Sequence, residues 1–503
     1  MEVTGTSGND PAVSTVYQQR RVYAATLAEP LTFWGSRPKL YENFDTSLTV
    51  FANDAYEFEL DSNEVAPIRH LQATRSGLLM LSQAGLWQLR SAGGTVTPTD
   101  ALADPESWTG ASLLPPITID TDIIYMESDE RSVRLLVYNN NTRVFSGIDL
   151  SILSNHLFPA GHRIVSWGWA ASPNKLVYAV RNDGIVLVLA FNKEQNVFAW
   201  TPWETNGFVQ DLLVLKENEY DTVYTVVKRL INGRWTKFIE KYADRRFDHV
   251  ENAWCVDAGL ALPITAPAAT ITAAAVTGSG ISVTSDVSIF SAGDVGKVLR
   301  CGGGRAIVAS YISVTSITVN FKRDITDVIP QEDTLIARPF VTGEWFLDEV
   351  LTAITGLAHL EGKSVAILAD GNVLSEQVVT NGNITLAKAA SRVIVGLPYT
   401  CLARSLPPSS NEFTIEGSKK RISTVYIRLL ESRGLEIGEK LDAMTVLKER
   451  TDENYGEPTR VQTGIKEVLL QTNYDRESQV YYRQAYPLPT IILGWQEEVN
   501  YVR

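Results

Sequence analysis

Only three cysteines occur in 503 residues, Cys255, Cys301 and Cys401, and no two of them form a CxxC pair. That spacing implies neither a disulfide framework nor a cysteine zinc site, and buried reduced thiols are expected instead. Long apolar runs are also missing. No segment approaches the roughly 20 apolar residues that a membrane-crossing helix needs, and the opening residues MEVTGTSGNDPAVS hold neither a basic nor an apolar leader region. A soluble chain with no membrane span and no signal peptide is expected. Positive charge is short as well: 45 Lys and Arg stand against 58 Asp and Glu, a net charge of −13. That balance argues against tight binding of nucleic acid by phosphate neutralisation, and leaves room for a protein past which DNA must slide.

Catalytic spacing is equally scarce. The histidines His70, His156, His162, His249 and His359 show no HxH, HExxH or CxxH pattern, so no metal or hydrolase motif is written locally. There is no GxSxG elbow. Gly293-Asp294-Val295-Gly296-Lys297 fails the phosphate-loop pattern because Val298 follows the lysine, and a turn between short strands is the better reading. Asp120, Asp122, Glu127, Asp129 and Glu130 lack the calcium-loop order and read as a solvated acidic edge. The chain is therefore expected not to be an enzyme, with no catalytic residue, no cofactor and no metal.

What the chain does contain is strand after strand. From Ile164 to Leu215, four apolar runs are separated by Ser172-Pro173-Asn174, Asn182-Asp183-Gly184 and Asn192-Lys193-Glu194, the pattern of consecutive antiparallel strands. Similar short runs precede this stretch, with a break at Asn139-Asn140-Asn141, and a hairpin around Asn232-Gly233 follows it. Asp149 to Phe158 reads as a short helix capped by Asp149. Composition shifts at Ala261 to Gly280, which is poor in charge and rich in Ala, Thr, Pro and Gly. Brief β-rich runs continue to about Phe340, with Gly302-Gly303-Gly304 between two of them, and Asp370-Gly371 marks a later hairpin. Gly438 to Asp452 is expected to be a helix or excursion loop, because it looks too polar for a core.

The predicted fold is mainly β. It comprises a β-propeller-like domain (residues 1–260), an inserted small β-barrel (261–345) and a C-terminal β domain (346–503). In EFELDS, Phe58 and Leu60 alternate with Glu57, Glu59 and Asp61, so a strand there has one apolar and one acidic face. Those three carboxylates are the candidate lumen or ring-interface residues. Trp167, Trp169, Trp200 and Trp203 read either as packing between blades or as a sugar-stacking platform.

The segments VYQQRRVYAATLAEPLTFWGSRPKLYENFD, VYAVRNDGIVLVLAFNKEQNVFAWTPWETNGFVQDLLVL, GLAHLEGKSVAILADGNV, ITLAKAASRVIVGLPYT and PLPTIILGW together resemble the tail nozzle, or tail tubular protein B-like, family of short-tailed bacteriophages. The likeness runs over most of the chain in the expected order, and SIFSAGDVGKVLRCGGGRAIVASY resembles the small barrel inserted in several such proteins. The resemblance implies a structural virion protein, made in the host cytoplasm and placed at the distal end of the short tail. It implies a homo-hexamer that meets an adaptor or tail tubular ring and takes part in docking tail fibres or spikes. Such a ring closes the tail and then conducts double-stranded DNA during ejection. Many relatives carry a longer region before the QQR segment; here that part is expected to be absent or supplied by another chain. Six copies at −13 amount to −78, and an acidic channel would repel phosphates rather than hold them. The alternatives are a receptor- or glycan-binding propeller at the tail tip, using the tryptophans, and a glycosidase acting through paired carboxylates.

Overall fold

A computed structural model describes residues 9–139, 144–262, 264–331, 334–409, 417–450, 453 and 458–502. Most of the leader region (residues 1–8) and the turn predicted at Asn140-Asn141 fall outside them. The chain divides into two compact units, Met1–Arg229 with Lys237–Tyr242, and Leu230–Thr236 with Ala243–Arg503.

Among the described residues the first unit is built from five successive antiparallel sheets, each made of strands consecutive in the sequence. The first takes Val13–Tyr17, Arg20–Ala24, Thr32–Gly35 and Tyr56–Glu59; the second Ile68–Ala73, Leu78–Ser82, Leu86–Arg90 and Leu102–Ser107. The third takes Ile117–Ile119, Asp122–Met126, Val133–Asn139 and Val144–Asp149, and the fourth Ile164–Ala170, Leu176–Arg181, Val186–Asn192 and Val197–Trp203. The fifth has three strands, Phe208–Glu217, Tyr220–Ile231 and Arg234–Lys241, of which the hairpin tip Leu230–Thr236 is counted with the second unit.

The central strands of the second, third and fourth sheets are apolar on both faces because each of these sheets is covered on both. Leu78 and Met80 pack with Val22, Phe33 and Tyr56 of the first sheet, while their neighbours Leu79 and Leu81 face Ile123 and Tyr125 of the third. Ile124 and Leu135 then meet Val177 and Leu187 of the fourth sheet, and Tyr178 and Val186 meet Val209 and Val223 of the fifth. Alternation along a strand thus serves two cores at once. First strands lie near one another, Val13–Tyr17 beside Ile68–Ala73 and Ile164–Ala170 beside Phe208–Glu217. Four-stranded meanders stacked face to face in chain order make this unit β-propeller-like. Among the described residues no buried apolar cluster joins the first sheet to the fifth.

In the second unit, strand Asp257–Ala261 pairs with Val393–Leu397, which continues to Ser364–Ala369 and Asn372–Val378. Between those partners in the chain lies a six-stranded half-barrel, in the order Ile271–Ala273, Ile281–Ser285, Ser316–Arg323, Gly304–Ser313, Val298–Cys301, Trp345–Asp348. Its core centres on Trp345, fully buried, whose Nε1 donates to the Ala269 carbonyl at 2.8 Å. Gly302 and Gly303 close one of its hairpins at φ +51° and +78°, the backbone of a two-residue turn that glycine adopts without strain. The compact units part at 242/243, upstream of the composition shift at 261, because Asp257–Ala261 belongs to a sheet of the second unit. The half-barrel also reaches Asp348, past the expected limit of 345.

A buried charge cluster ties the half-barrel to the four-stranded sheet. The Arg300 guanidinium donates to Asp348 Oδ2 (2.7 Å), Asp370 Oδ1 (3.1 Å), Glu251 Oε1 (3.3 Å) and Ser391 Oγ (3.0 Å). Arg392 joins Asp348, Arg323 joins Glu251 and Arg305 joins Asp370. Four guanidiniums thus surround three carboxylates, so no charge in the cluster is buried without a counter-charge. Burial pushes the Glu251 pKa up, but Arg300 and Arg323 outweigh it and bring the value down to about 2.

The C-terminal part adds a three-stranded sheet, Gln462–Leu469, Lys419–Ser432 and Ile491–Val502, and a four-stranded one, Cys401–Arg404, Tyr481–Gln484, Glu436–Lys440 and Ala443–Val446. The segment expected as a helix or excursion loop from Gly438 to Asp452 instead holds the end of one hairpin strand, its turn and the second strand, Ala443–Val446; its last two residues, 451 and 452, lie outside the described residues. Ile437 is fully buried in that hairpin and opposes Thr445, whereas the second strand is mostly exposed. Glu449, just past the hairpin, pairs with Arg433, just before it. The predicted helix at Asp149 to Phe158 is only a 3-10 turn, Ile152–Leu157. Asp149 instead ends a strand and accepts hydrogen bonds from the Ser151 amide and hydroxyl. Of the thiols, Cys301 is buried and Cys255 half-buried, but Cys401 is exposed, contrary to the expectation that all three are buried.

Candidate functional site

Strand Tyr56–Glu59 forms an edge of the first sheet and, among the described residues, pairs with Thr32–Gly35 alone. Tyr56 is buried and Phe58 packs beside it on the Phe33 ring, with centroids 6.3 and 5.8 Å away. Burial pushes the Tyr56 hydroxyl pKa up, so it stays neutral. Gly35 lies opposite Tyr56, and a β-carbon there would stand 2.1 Å from the ring. Alternation then sends Glu57 and Glu59 to the other face, where both are exposed. Asp61, also exposed, lies just beyond the strand.

The structure brings Glu57 and Glu59 together with a residue that the sequence pattern does not single out, Glu29. All three line a shallow groove of about 380 Å³, whose lining also includes Pro30, Phe58 and Val65. Glu29 arrives there because the ladder runs on past the strand ends: the Leu60 amide donates to Leu31 and the Ile68 amide to Pro30. Asp61 does not line the groove. Among the described residues no group of three or more His, Cys, Asp or Glu is placed to hold a metal ion.

On the face that carries Glu57, its cross-strand neighbour Trp34 is covered by a pinned loop. Arg20 donates to the carbonyls of Ser36 (2.7 Å), Asp54 (2.6 Å) and Ala52 (2.9 Å). Asp54 in turn binds Arg37 at 2.6 Å. The loop lays Phe44 and Ala55 on Trp34, which fixes the strand that carries the glutamates.

The other carboxylates considered are scattered over structural tasks. Asp122 pairs with Lys193, Glu127 with Arg134 and Glu130 with Arg163, and Asp129 accepts from the Arg131 amide in a turn. The tryptophans sit in sheet packing. Trp200 Nε1 donates to the Leu150 carbonyl at 3.0 Å and its ring meets Phe158 edge-on. Trp203 stacks on Tyr242, Trp167 Nε1 donates to Pro115, and Trp169 meets Phe191.

A second charged feature lies on the fifth sheet. Its edge strand Arg234–Lys241 exposes Lys237, Ile239 and Lys241 on one face, while Glu240 turns inward to the buried Arg229, two hydrogen bonds of 2.6 and 2.7 Å. The sequence carries a signal for it. Residues 228–246 hold seven Lys or Arg and two Asp or Glu, a net of +5 inside a chain of −13.

No family model matches the chain, and no curated protein does. Among solved structures, a Lactobacillus plantarum protein superposes with TM-score 0.28 at 14% identity, over 46% of this chain and 70% of that one. The S. cerevisiae core factor gives 0.23 at 8%, over 56% and 55%. A Bacillus subtilis glycoside hydrolase family 43 arabinoxylan arabinofuranohydrolase gives 0.17 at 9%, over 97% and 95%. Similarities at these TM-scores carry no argument about activity, and the fold description rests on the strand order itself. Among the described residues no helix is long and apolar enough to cross a membrane.

Proposed function

We propose that this chain is a structural, non-enzymatic protein of a bacteriophage virion, the subunit of a hexameric nozzle at the distal end of a short tail. The reading rests on the order of parts. Serial four-stranded sheets are followed by a half-barrel that separates two paired strands, Asp257–Ala261 and Val393–Leu397, and the resembling segments run through these parts in the family's order. In this reading the ring meets an adaptor or tail tubular ring and tail fibres or spikes, closes the tail, and conducts double-stranded DNA at ejection. Its acidic balance lowers the adhesion of passing phosphates. The packing contacts of the four half-buried tryptophans support the structural reading over the glycan-binding alternative.

Electron microscopy of the purified full chain tests the proposal. A six-fold ring with an axial hole is the expected image. Particles that stay monomeric at every concentration, together with absence of the chain from purified virions, would overturn it.

A further inference from the structure

The five sheets of the first unit have two ends, and these ends are chemically complementary. At one end, the exposed edge beside Thr32–Gly35 offers a groove of about 380 Å³ with Pro30 and Val65 in its lining and Glu29, Glu57 and Glu59 around them. Val65 is 81% exposed. Residues 20–64, which build this end, hold four Lys or Arg against eight Asp or Glu, a net of −4. At the other end, Ile239 stands 79% exposed between Lys237 and Lys241. Residues two apart on a strand share a face and are spaced by about 6.6 Å, so the isoleucine is a knob with a cation on either side. Lys241 is held by Glu217 at 2.7 Å, which leaves Lys237 as the cation a new carboxylate would engage most.

We infer that Ile239 of one copy seats in the Glu29–Glu57–Glu59 groove of the next, with Lys237 and Lys241 over the carboxylate rim. This inference rests on the proposed ring and names the surfaces that would join its subunits. The occupant is a second copy because the same chain carries both halves of the match: an apolar knob flanked by cations, and a groove with Pro30, Phe58 and Val65 in its lining and three glutamates around them. Because the two patches differ, the contact is heterologous. Repeated, it closes a ring when the rotation closes and builds a filament when it does not. Opposite charges at the rim add orientation and encounter rate, and the buried isoleucine adds apolar contact.

The test mixes two full-length single variants, Val65→Cys and Ile239→Cys, under mild oxidation, with the wild type and each variant alone as background for the native thiols. A covalent dimer formed in the mixture above that background is expected. A Lys237→Glu/Lys241→Glu variant should associate about tenfold more weakly in sedimentation velocity, and mixing it with Glu57→Lys/Glu59→Lys copies should restore association. Lys237→Glu alone is the milder form should the double variant fold poorly. If the wild type forms rings but neither cross-linking nor charge reversal responds, the contact is wrong and the ring reading survives. Cross-linked open chains without closed rings would support the contact and overturn the six-fold ring. A wild type that never associates would overturn both.

Discussion

Arg300 and Asp348 meet at 2.7 Å with their side chains only 7% and 1% exposed, and the same guanidinium reaches Glu251 and Asp370. Substituting Arg300→Met would leave three buried carboxylates short of a cation, so a loss of about 3–5 kcal/mol is expected. Arg300→Lys restores the charge but not the planar fork, and should recover only part of it. Urea unfolding of both variants measures this. The control is Arg90→Ala, which breaks a pair with Asp104 that is 40% and 39% exposed, where less than about 1 kcal/mol is expected. Equal losses at the two sites would refute the contrast.

The same cluster sets an acid limit. The Glu251 carboxyl takes a proton near 4.5 when unconstrained but only at about 2 in the fold. Its stabilising contribution is therefore complete above pH 4.5 and is lost as the pH falls from there toward 2. Unfolding free energies measured across that interval should drop more steeply for the wild type than for Glu251→Gln. Parallel pH profiles would show that the carboxylate's ionisation is not what the fold depends on.

Gly35 is constrained by space. Its φ is unremarkable, yet an added methyl would meet the Tyr56 ring at 2.1 Å. Gly35→Ala should cost about 1–3 kcal/mol by overpacking and displace the strand that bears Glu57 and Glu59. Thermal melting reads the first effect. A companion Gly35→Ala/Tyr56→Phe variant, which keeps the ring, should remain destabilised, whereas Gly35→Ala/Tyr56→Leu should recover part of the loss.

Trp200 links the fourth sheet to Leu150 and Phe158. Trp200→Ala is expected to lower stability by about 2–4 kcal/mol, the scale of a large aromatic lost from packing. Trp200→Phe should lose less, because it keeps the ring and gives up mainly the hydrogen bond. Calorimetry of the two variants decides. If neither changes stability while saccharide binding on a glycan array disappears, the ring serves a ligand rather than the sheets.

The strand runs between Ile164 and Leu215 were legible because their signals are local: turn dipeptides at fixed spacing and apolar runs of strand length. Asn232-Gly233 and Asp370-Gly371 both take positive φ at each position, as their residue types require. The alternation at Glu57 and Glu59 was legible for the same reason. Glu29 was not, since it reaches the groove through the pairing of Thr32 with Glu59, a non-local event. Glu251, Arg300, Asp348 and Asp370 likewise come from four separate segments that only the folded second unit assembles. The hairpin at Glu436–Val446 was missed because its second strand, Ala443–Val446, is mostly exposed and is held by pairing with Glu436–Lys440 rather than by an apolar pattern of its own.

The pairing of Asp257 with Leu397 joins residues 140 positions apart, whereas each sheet of the first unit is completed by strands that follow one another directly. On a ribosome adding roughly 5–20 residues per second, the earlier sheets can be finished one by one as they emerge. Strand Asp257–Ala261 must instead wait on the order of 10 s for its neighbour to be made. During that interval its edge stands without its native neighbour and is open to other strands.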